Sequence, residues 1–274
     1  MVRVPSPDPA ALVDTCGTGG GKIATFNIST AASFIAVGAG IRIAKHGNRS
    51  FTTKSGSADV LEALGVKLHL PPERLVEVID EAGMVFMFAP AMHPAMRHVG
   101  PVRSELAVPT VMNLVGPLAN PAGAGRQVVG VADPSKARLV AETLAHLGTV
   151  HALVVHGFPG MDELSPLGPS SVYEAREGTV REWTLSPESL GLASQNAAEL
   201  GGGEPAANAR LIEEVLAGRG TLGARNAALL NAAAAIYVAG KAADMAAAAD
   251  MARASIASGG ATRALERLRA ATNR

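Results

Sequence analysis

The chain has 274 residues, 48% of them hydrophobic, with 24 basic residues balancing 24 acidic ones and a single cysteine. That length and apolar content suffice for one large core, or a large domain with a small one beside it, while the even charge balance gives nucleic acid no global field to bind, so any anion site must be local. One cysteine forms no intrachain disulfide, the opening M-V-R-V-P-S-P-D-P lacks the form of a secretory leader, and no stretch gives about 18 uninterrupted apolar residues, so the expected compartment is the cytoplasm and no membrane span is expected.

In chain order, the first apolar segment, Ala11 to Val13, runs into D-T-C-G-T-G-G-G-K-I-A-T-F-N-I-S-T (Asp14 to Thr30). Gly17, Gly19, Gly20 and Gly21 stand between a predicted strand and a predicted helix start. They can adopt backbone angles closed to other residues and let a ligand approach the main chain, and Asn27, Ser29 and Thr30 offer capping oxygens at a helix N-terminus, where anions gather. The run is neither G-x-G-x-x-G nor a Walker loop, so a plain strand-to-helix turn stands beside a phosphate cradle as its reading. Ile41 to Ala44 then leads into K-H-G-N-R (Lys45 to Arg49) and K-S-G-S-A-D-V-L-E-A-L-G (Lys54 to Gly65), a second strand, polar loop and helix start whose turn falls on the same side of a parallel sheet.

Pro72-Glu73 opens a helix to Ala82, and Val85 to Phe88 forms the next strand. Met92 to Val108 has helical character broken by Pro94 and Pro101, which suits a crossing between subdomains. Gln127 to Val131 and His151 to Val155 are further strands, separated by a helix from Pro134 to Leu147. Val172 to Leu185 alternates about Glu177-Gly178 and reads as a hairpin on the sheet edge. The Ala-rich Ala224 to Ala257, interrupted by Lys241, Asp244 and Asp250, reads as close-packed helices, and the apolar positions from Ala224 to Ala271 as core. The alternation implies an α/β fold with a largely parallel central sheet flanked by helices.

Asp162 and Glu163 follow the turn-rich Gly157-Phe158-Pro159-Gly160. Hard oxygen ligands on a loop suit Mg²⁺; solvated surface charge is the plainer reading of such a pair. Cys16 has no Cys-His framework around it and reads as a small buried residue.

The two glycine-bearing segments closely resemble the anthranilate phosphoribosyltransferase family of tryptophan biosynthesis. The resemblance continues through M-H-P-A-M-R-H-V-G-P-V-R (Met92 to Arg103), N-L-V-G-P-L-A-N-P (Asn113 to Pro121), G-V-A-D-P (Gly130 to Pro134), G-M-D-E-L-S (Gly160 to Ser165) and N-A-A-L-L-N-A-A-A-A (Asn226 to Ala235), in the family's order and over nearly the whole chain. It implies transfer of a phosphoribosyl group from phosphoribosyl pyrophosphate (PRPP) to anthranilate, with Mg²⁺ as cofactor, two ions per site. The chain would be a single α/β domain over 1–274, with 90–110 crossing into a small helical domain that is incomplete, because the glycine loop here starts at Asp14 and most of the family's N-terminal helices are absent. It also implies a homodimer and a glutamine amidotransferase (anthranilate synthase) partner.

Carried over by motif, the metal ligands would be Ser29, Asp162 and Glu163, and the catalytic residues Lys45, His93 and Arg103. PRPP would lie on Gly17, Thr18, Gly19, Gly20, Gly21 and Lys22, and further along on Thr25, Asn27, Ser29, Thr30, Lys45, His46, Gly47, Asn48 and Ser57. Anthranilate would meet Asn48, His93 and Arg103, with Gly116 and Pro117 as part of its wall. Arg103 can hold a carboxylate by two parallel hydrogen bonds. His93 either lines this site or caps a helix before Pro94; Arg49 is free to pair structurally with a carboxylate. Where the family usually carries Asp, this chain has Gly21 followed by Lys22, and Lys22 is expected to substitute through direct charge contact with the diphosphate. Two other readings are a pyrimidine nucleoside phosphorylase, which shares the architecture, and a non-catalytic or partner-dependent paralogue.

Overall fold

The structure is a computed structural model that describes residues 1–50, 54–99, 105 and 110–274; Arg103 and part of the expected crossing lie outside the described residues. Seven strands form one sheet: β1 (Val13–Gly17), β2 (Ile43–Gly47), β3 (Met84–Phe88), β4 (Arg126–Gly130), β5 (His151–Gly157), β6 (Ser170–Arg176) and β7 (Thr179–Leu185), in the order β3-β2-β1-β4-β5-β6-β7. The first five are mutually parallel, and β6 and β7 add antiparallel at one edge. This is the expected α/β architecture. Near-continuous apolar runs such as M-V-F-M-F in β3 are buried throughout, as a parallel sheet covered on both faces demands.

The first strand begins at Val13 rather than Ala11. Pro9–Ala11 instead form a 3₁₀ turn capped by Asp8, because Pro9 supplies no ladder donor and fixes its own φ. The edge hairpin turns at Glu177 (φ 52°) and Gly178 (φ 76°), the pair of positive angles whose twist matches the flanking strands.

Helices α1 (Ile28–Gly38), α2 (Ser57–Ala63), α3 (Pro72–Ala82) and α4 (Pro134–His146) follow the strands, and α5 (Pro205–Leu216), α6 (Leu222–Val238), α7 (Met245–Ala257) and α8 (Gly260–Thr272) close the chain. The alanines of α6 are buried on every side, which lets α1 and α7 approach its backbone closely and explains a helix with no polar face. Its Asn231 turns inward to close a pair of bonds with Leu164, accepting from the Leu164 N–H (3.0 Å) and donating to the Leu164 carbonyl (2.9 Å). Among the described residues, no helix is long and apolar enough to cross a membrane.

The hairpin is pinned to α6 by a buried carboxylate. Glu174 accepts from His151 Nε2 (2.9 Å), the Tyr237 hydroxyl (2.8 Å) and Trp183 Nε1 (3.0 Å), and these bonds, that from His151 foremost, hold its carboxyl down at about 2. Glu174→Ala would leave three donors without their acceptor, a loss of about 3 kcal/mol, or on the order of 10 °C in Tm for a domain of this size. Because the folded carboxyl is depressed, its contribution is present above the ordinary carboxylate value and lost as the pH falls towards 2. Thermal unfolding at pH 7 and pH 2 checks both: a large deficit at the first and a small one at the second.

Candidate active site

In a parallel sheet, ligands collect at the carboxyl ends of the strands where the strand order reverses. Here that point lies between β1 and β4, whose register pairs Gly17 with Gly130. The loops after β1, β2, β4 and β5 all leave the sheet at this end.

Of the four loop glycines, Gly19 (φ 68°) and Gly20 (φ 84°) supply the left-handed turn. Gly17 and Gly21 do not have positive φ. They are small for a different reason: a Cβ on Gly17 would lie 3.1 Å from Asp162 Oδ2, and one on Gly21 2.8 Å from Asp162 Oδ1. The position where the family's Asp is expected is thus occupied from the other side by the Asp162 carboxylate. Thr18 is partly exposed, its N–H bound to the Gly130 carbonyl (2.9 Å) and its hydroxyl accepting from Ala132 N–H (3.1 Å).

Lys22 donates its N–H to the Gly160 carbonyl (2.8 Å), and its side-chain stem crosses Gly160, where a Cβ would lie 2.8 Å from Lys22 Cδ. Its methylenes thus fasten the glycine loop to the acidic loop, a packing role beside the expected charge contact. Thr25 forms an isolated bridge with Gly201.

The helix-capping expectation is also revised. Asn27 is the N-cap of α1 but makes no side-chain cap; its amide donates to the Ser55 carbonyl (3.1 Å) and its Oδ1 accepts from Asn208 (2.9 Å). Ser29 donates its N–H to Glu163 Oε1 (3.2 Å), and its hydroxyl lies 3.2 Å from Lys45 Nζ. The Thr30 hydroxyl is buried without a hydrogen-bond partner among the described residues.

Lys45 is almost fully buried, with its ammonium on the Thr15 carbonyl and 3.2 Å from the Thr15 hydroxyl. Beneath it lies Asp14, also buried, which accepts from His46 N–H (3.1 Å) and Asn120 Nδ2 (2.8 Å). Burial pushes the Asp14 carboxyl up and the Lys45 ammonium down, and the attraction of each for the other works against both shifts. The remainder of K-H-G-N-R closes on α2: the Asn48 carbonyl accepts from the Ser57 hydroxyl (3.3 Å), Gly47 leaves the space that this hydroxyl needs, and Arg49 pairs with Asp59 (2.7 Å) and Glu62 (2.6 Å). Arg49 is structural, as its alternative reading had it.

His93 is the C-cap of the short helical turn Ala89–Met92, its N–H bound to the Ala89 carbonyl, as its capping reading had it. Its Nε2 lies 3.2 Å from Nε2 of His46. Burial first, then the His93 ring, lowers the His46 pKa to about 4, and burial lowers that of His93, so both rings are neutral at pH 7. The Gly116 carbonyl faces His46, a side chain on Gly116 would meet nothing within 4 Å, and the Pro117 carbonyl is held by Gln127 (2.7 Å). This patch is a neutral, open-faced end of the crevice.

The acidic pair forms the other end. Burial raises the Asp162 carboxyl, and burial together with the Asp162 charge raises that of Glu163 to about 8. Two hard-oxygen donors crowded in a desolvated pocket, with Ser29 beside them, fit a divalent cation of the Mg²⁺ kind. Among the described residues no three His, Cys, Asp or Glu side chains surround a common point, so such an ion would take its other ligands from water and phosphate, as Mg²⁺ does. Cys16 is partly exposed as a residue, but its thiol is desolvated, and that desolvation followed by the Asp14 charge pushes it well above the usual range, which makes it inert.

Sequence reasoning passed over Asp14, Asn120 and Asn231. A charge inside the apolar run L-V-D-T-C was the available signal for the first. For the two asparagines only the quoted motifs pointed to the region.

Residues 9–262 match the family model described as "Glycosyl transferase family, a/b domain". An anthranilate phosphoribosyltransferase of Rubrobacter xylanophilus is 53% identical over 259 residues, covering 94% of this chain and 76% of the relative. Among solved structures, the anthranilate phosphoribosyltransferase of Thermus thermophilus is 45% identical with a TM-score of 0.91, covering 96% of this chain and 78% of that one. The Saccharomyces cerevisiae enzyme in complex with PRPP and Mg is 30% identical with a TM-score of 0.90, covering 99% and 76%.

Proposed function

The chain belongs to the anthranilate phosphoribosyltransferase family, and from that premise we propose that the crevice between β1 and β4 carries out the family's reaction. The protein transfers the 5-phosphoribosyl group of PRPP to anthranilate, giving N-(5-phosphoribosyl)anthranilate and pyrophosphate. The observation that carries the assignment of residues is the meeting of three separated segments: the Glu163 carboxylate bonds the Ser29 N–H at the start of α1, and Asp162 lies against the glycine loop.

Breaking the bond from ribose C1 to pyrophosphate builds positive charge on the ring and negative charge on the departing oxygens, so fixed electrostatics do most of the work. Main-chain groups of Gly17–Lys22 and the N-terminus of α1 hold the diphosphate. Ser29, Asp162 and Glu163 would hold Mg²⁺, in two ions, which when bound neutralises charge on the leaving group. Lys45 keeps its ammonium against the Ser29 hydroxyl and adds positive potential behind it. At the neutral end, His46, His93, Asn48, Gly116 and Pro117, together with Arg103, receive anthranilate. Its weakly basic amine attacks neutral, so the neutral His93 need only accept a proton late. The crossing of 90–110 into a small helical subdomain, the homodimer and the amidotransferase partner belong to the same proposal. Light scattering checks the dimer.

The test is loss of anthranilate fluorescence on mixing the protein with PRPP and Mg²⁺. Product formation supports the reading; no turnover under saturating substrates overturns it, and a PRPP-induced rise in Tm in that case would leave only the phosphate half standing. Lys22→Ala is expected to raise the KM for PRPP about threefold to tenfold with little change in kcat, the effect of losing one exposed charge contact and the stem packing. An unchanged KM would remove Lys22 from the site.

A further inference from the structure

The motif G-V-A-D-P (Gly130 to Pro134) has no part in the site so far, yet both working loops are attached to it. The glycine loop hangs on it through Thr18, whose N–H binds the Gly130 carbonyl and whose hydroxyl accepts from Ala132. The acidic loop rests on it through Gly130, where a Cβ would lie 1.6 Å from the Asp162 carbonyl oxygen. The spacing between diphosphate and metal ligands is therefore set by where this segment lies as it leaves β4.

Its last regular sheet bond is Val131 N–H to the Val155 carbonyl (2.9 Å). In a parallel ladder the next donor, to the Val131 carbonyl, would be the N–H of Gly157. That N–H is taken: it binds the Met161 carbonyl (2.9 Å) as β5 turns into the acidic loop. The vacant donor position is filled by a side chain, the Nδ1–H of His156, 2.8 Å from the Val131 carbonyl. An acceptor carbonyl fixes the tautomer with its hydrogen on Nδ1.

We propose that His156 is a positioning residue for the PRPP end of the site, its Nδ1–H replacing the ladder bond that the acidic loop removes and so holding the strand end to which both loops are fastened. The inference rests on the functional reading above. It assigns His156 no contact with substrate.

Asn and Gln variants separate the two ring nitrogens, since the Asn amide nitrogen sits at the same bond count as Nδ1 and the Gln amide nitrogen at that of Nε2. PRPP binding in the presence of Mg²⁺ is measured by titration calorimetry, with the KM for each substrate and the Tm alongside. His156→Ala and His156→Gln are expected to weaken PRPP binding about fivefold to tenfold, the scale of one hydrogen bond, with the KM for anthranilate and the Tm little changed. His156→Asn should stay within about twofold of the parent, as the retained donor implies. Unchanged PRPP affinity in His156→Ala overturns the proposal, as does retention by Gln with loss in Asn, which would place the function on Nε2. A fall of Tm accompanied by an equal rise of both KM values also overturns it, marking a structural role only. A parent protein that binds PRPP without turnover would defeat the assigned reaction while the calorimetric series still decides His156.

Discussion

Replacing Asp162 with Asn and Glu163 with Gln together is expected to abolish turnover and at the same time raise the melting temperature of the metal-free protein. The two effects have one cause. In the free protein both carboxyls are desolvated and repel each other, which lifts Glu163 from 4.5 to about 8. A carboxyl whose folded value is raised costs stability as the pH rises through its unfolded value and up to its folded one. The shift of Glu163 corresponds to at most about 5 kcal/mol, so the metal-free protein should lose on the order of 10 °C in Tm between pH 5 and pH 9. Isosteric amides remove that slope, and with it the stabilisation that added Mg²⁺ gives the parent. Because charge stabilisation of the leaving group by bound metal is worth several kcal/mol, kcat should fall by about a thousandfold or more. Paired melts with and without Mg²⁺ at the two pH values read the first effect, and anthranilate fluorescence reads the second. A variant that keeps its pH slope would show that the pair is not the source of the strain.

Much of this arrangement could be read from the sequence, and the parts that could not share a physical reason. Strands β2 to β5 and the edge hairpin announce themselves by apolar runs and by Glu177-Gly178, because their signals are local. The candidate residues Ser29, Lys45, Asp162 and Glu163 come from the resemblance of their runs to a family's motifs, because a lone lysine or an adjacent pair of carboxylates is by composition no more than surface charge. What stays hidden is the reason for each residue. Gly17 and Gly21 look like turn glycines, yet the loop turns on Gly19 and Gly20, and the other two yield space to an aspartate more than a hundred residues later. Asn27 looks like a cap, but Ser55 and Asn208 claim its side chain. Such roles depend on partners brought together only by the sheet order, and no window of sequence contains both.

Lys45 is where the structural and functional demands coincide, and Lys45→Met should be costly on both counts. Its charge is what holds down the buried Asp14 carboxyl, and removing one of two buried opposite charges costs about 3 to 5 kcal/mol, a fall of roughly 10 °C in Tm. Asp14 is already raised by burial and partly held down by Lys45. Without the ammonium its carboxyl rises further, so the deficit should be smaller at acid pH, where Asp14 takes up a proton, and grow as the pH rises and the cost of an unpaired buried carboxylate returns. A packing defect alone would be the same at every pH, and that outcome would mean the lysine serves through its methylenes. The catalytic loss should not follow the stability. At the acid end, where stability is regained, the variant still lacks positive potential behind the Ser29 hydroxyl, so kcat/KM for PRPP is expected to stay about a hundredfold or more below that of the parent, the scale for deleting one preorganised electrostatic group. Activity that recovers in step with Tm would reduce Lys45 to a counterion for Asp14 and leave the diphosphate to the glycine loop, the α1 N-terminus and the acidic pair.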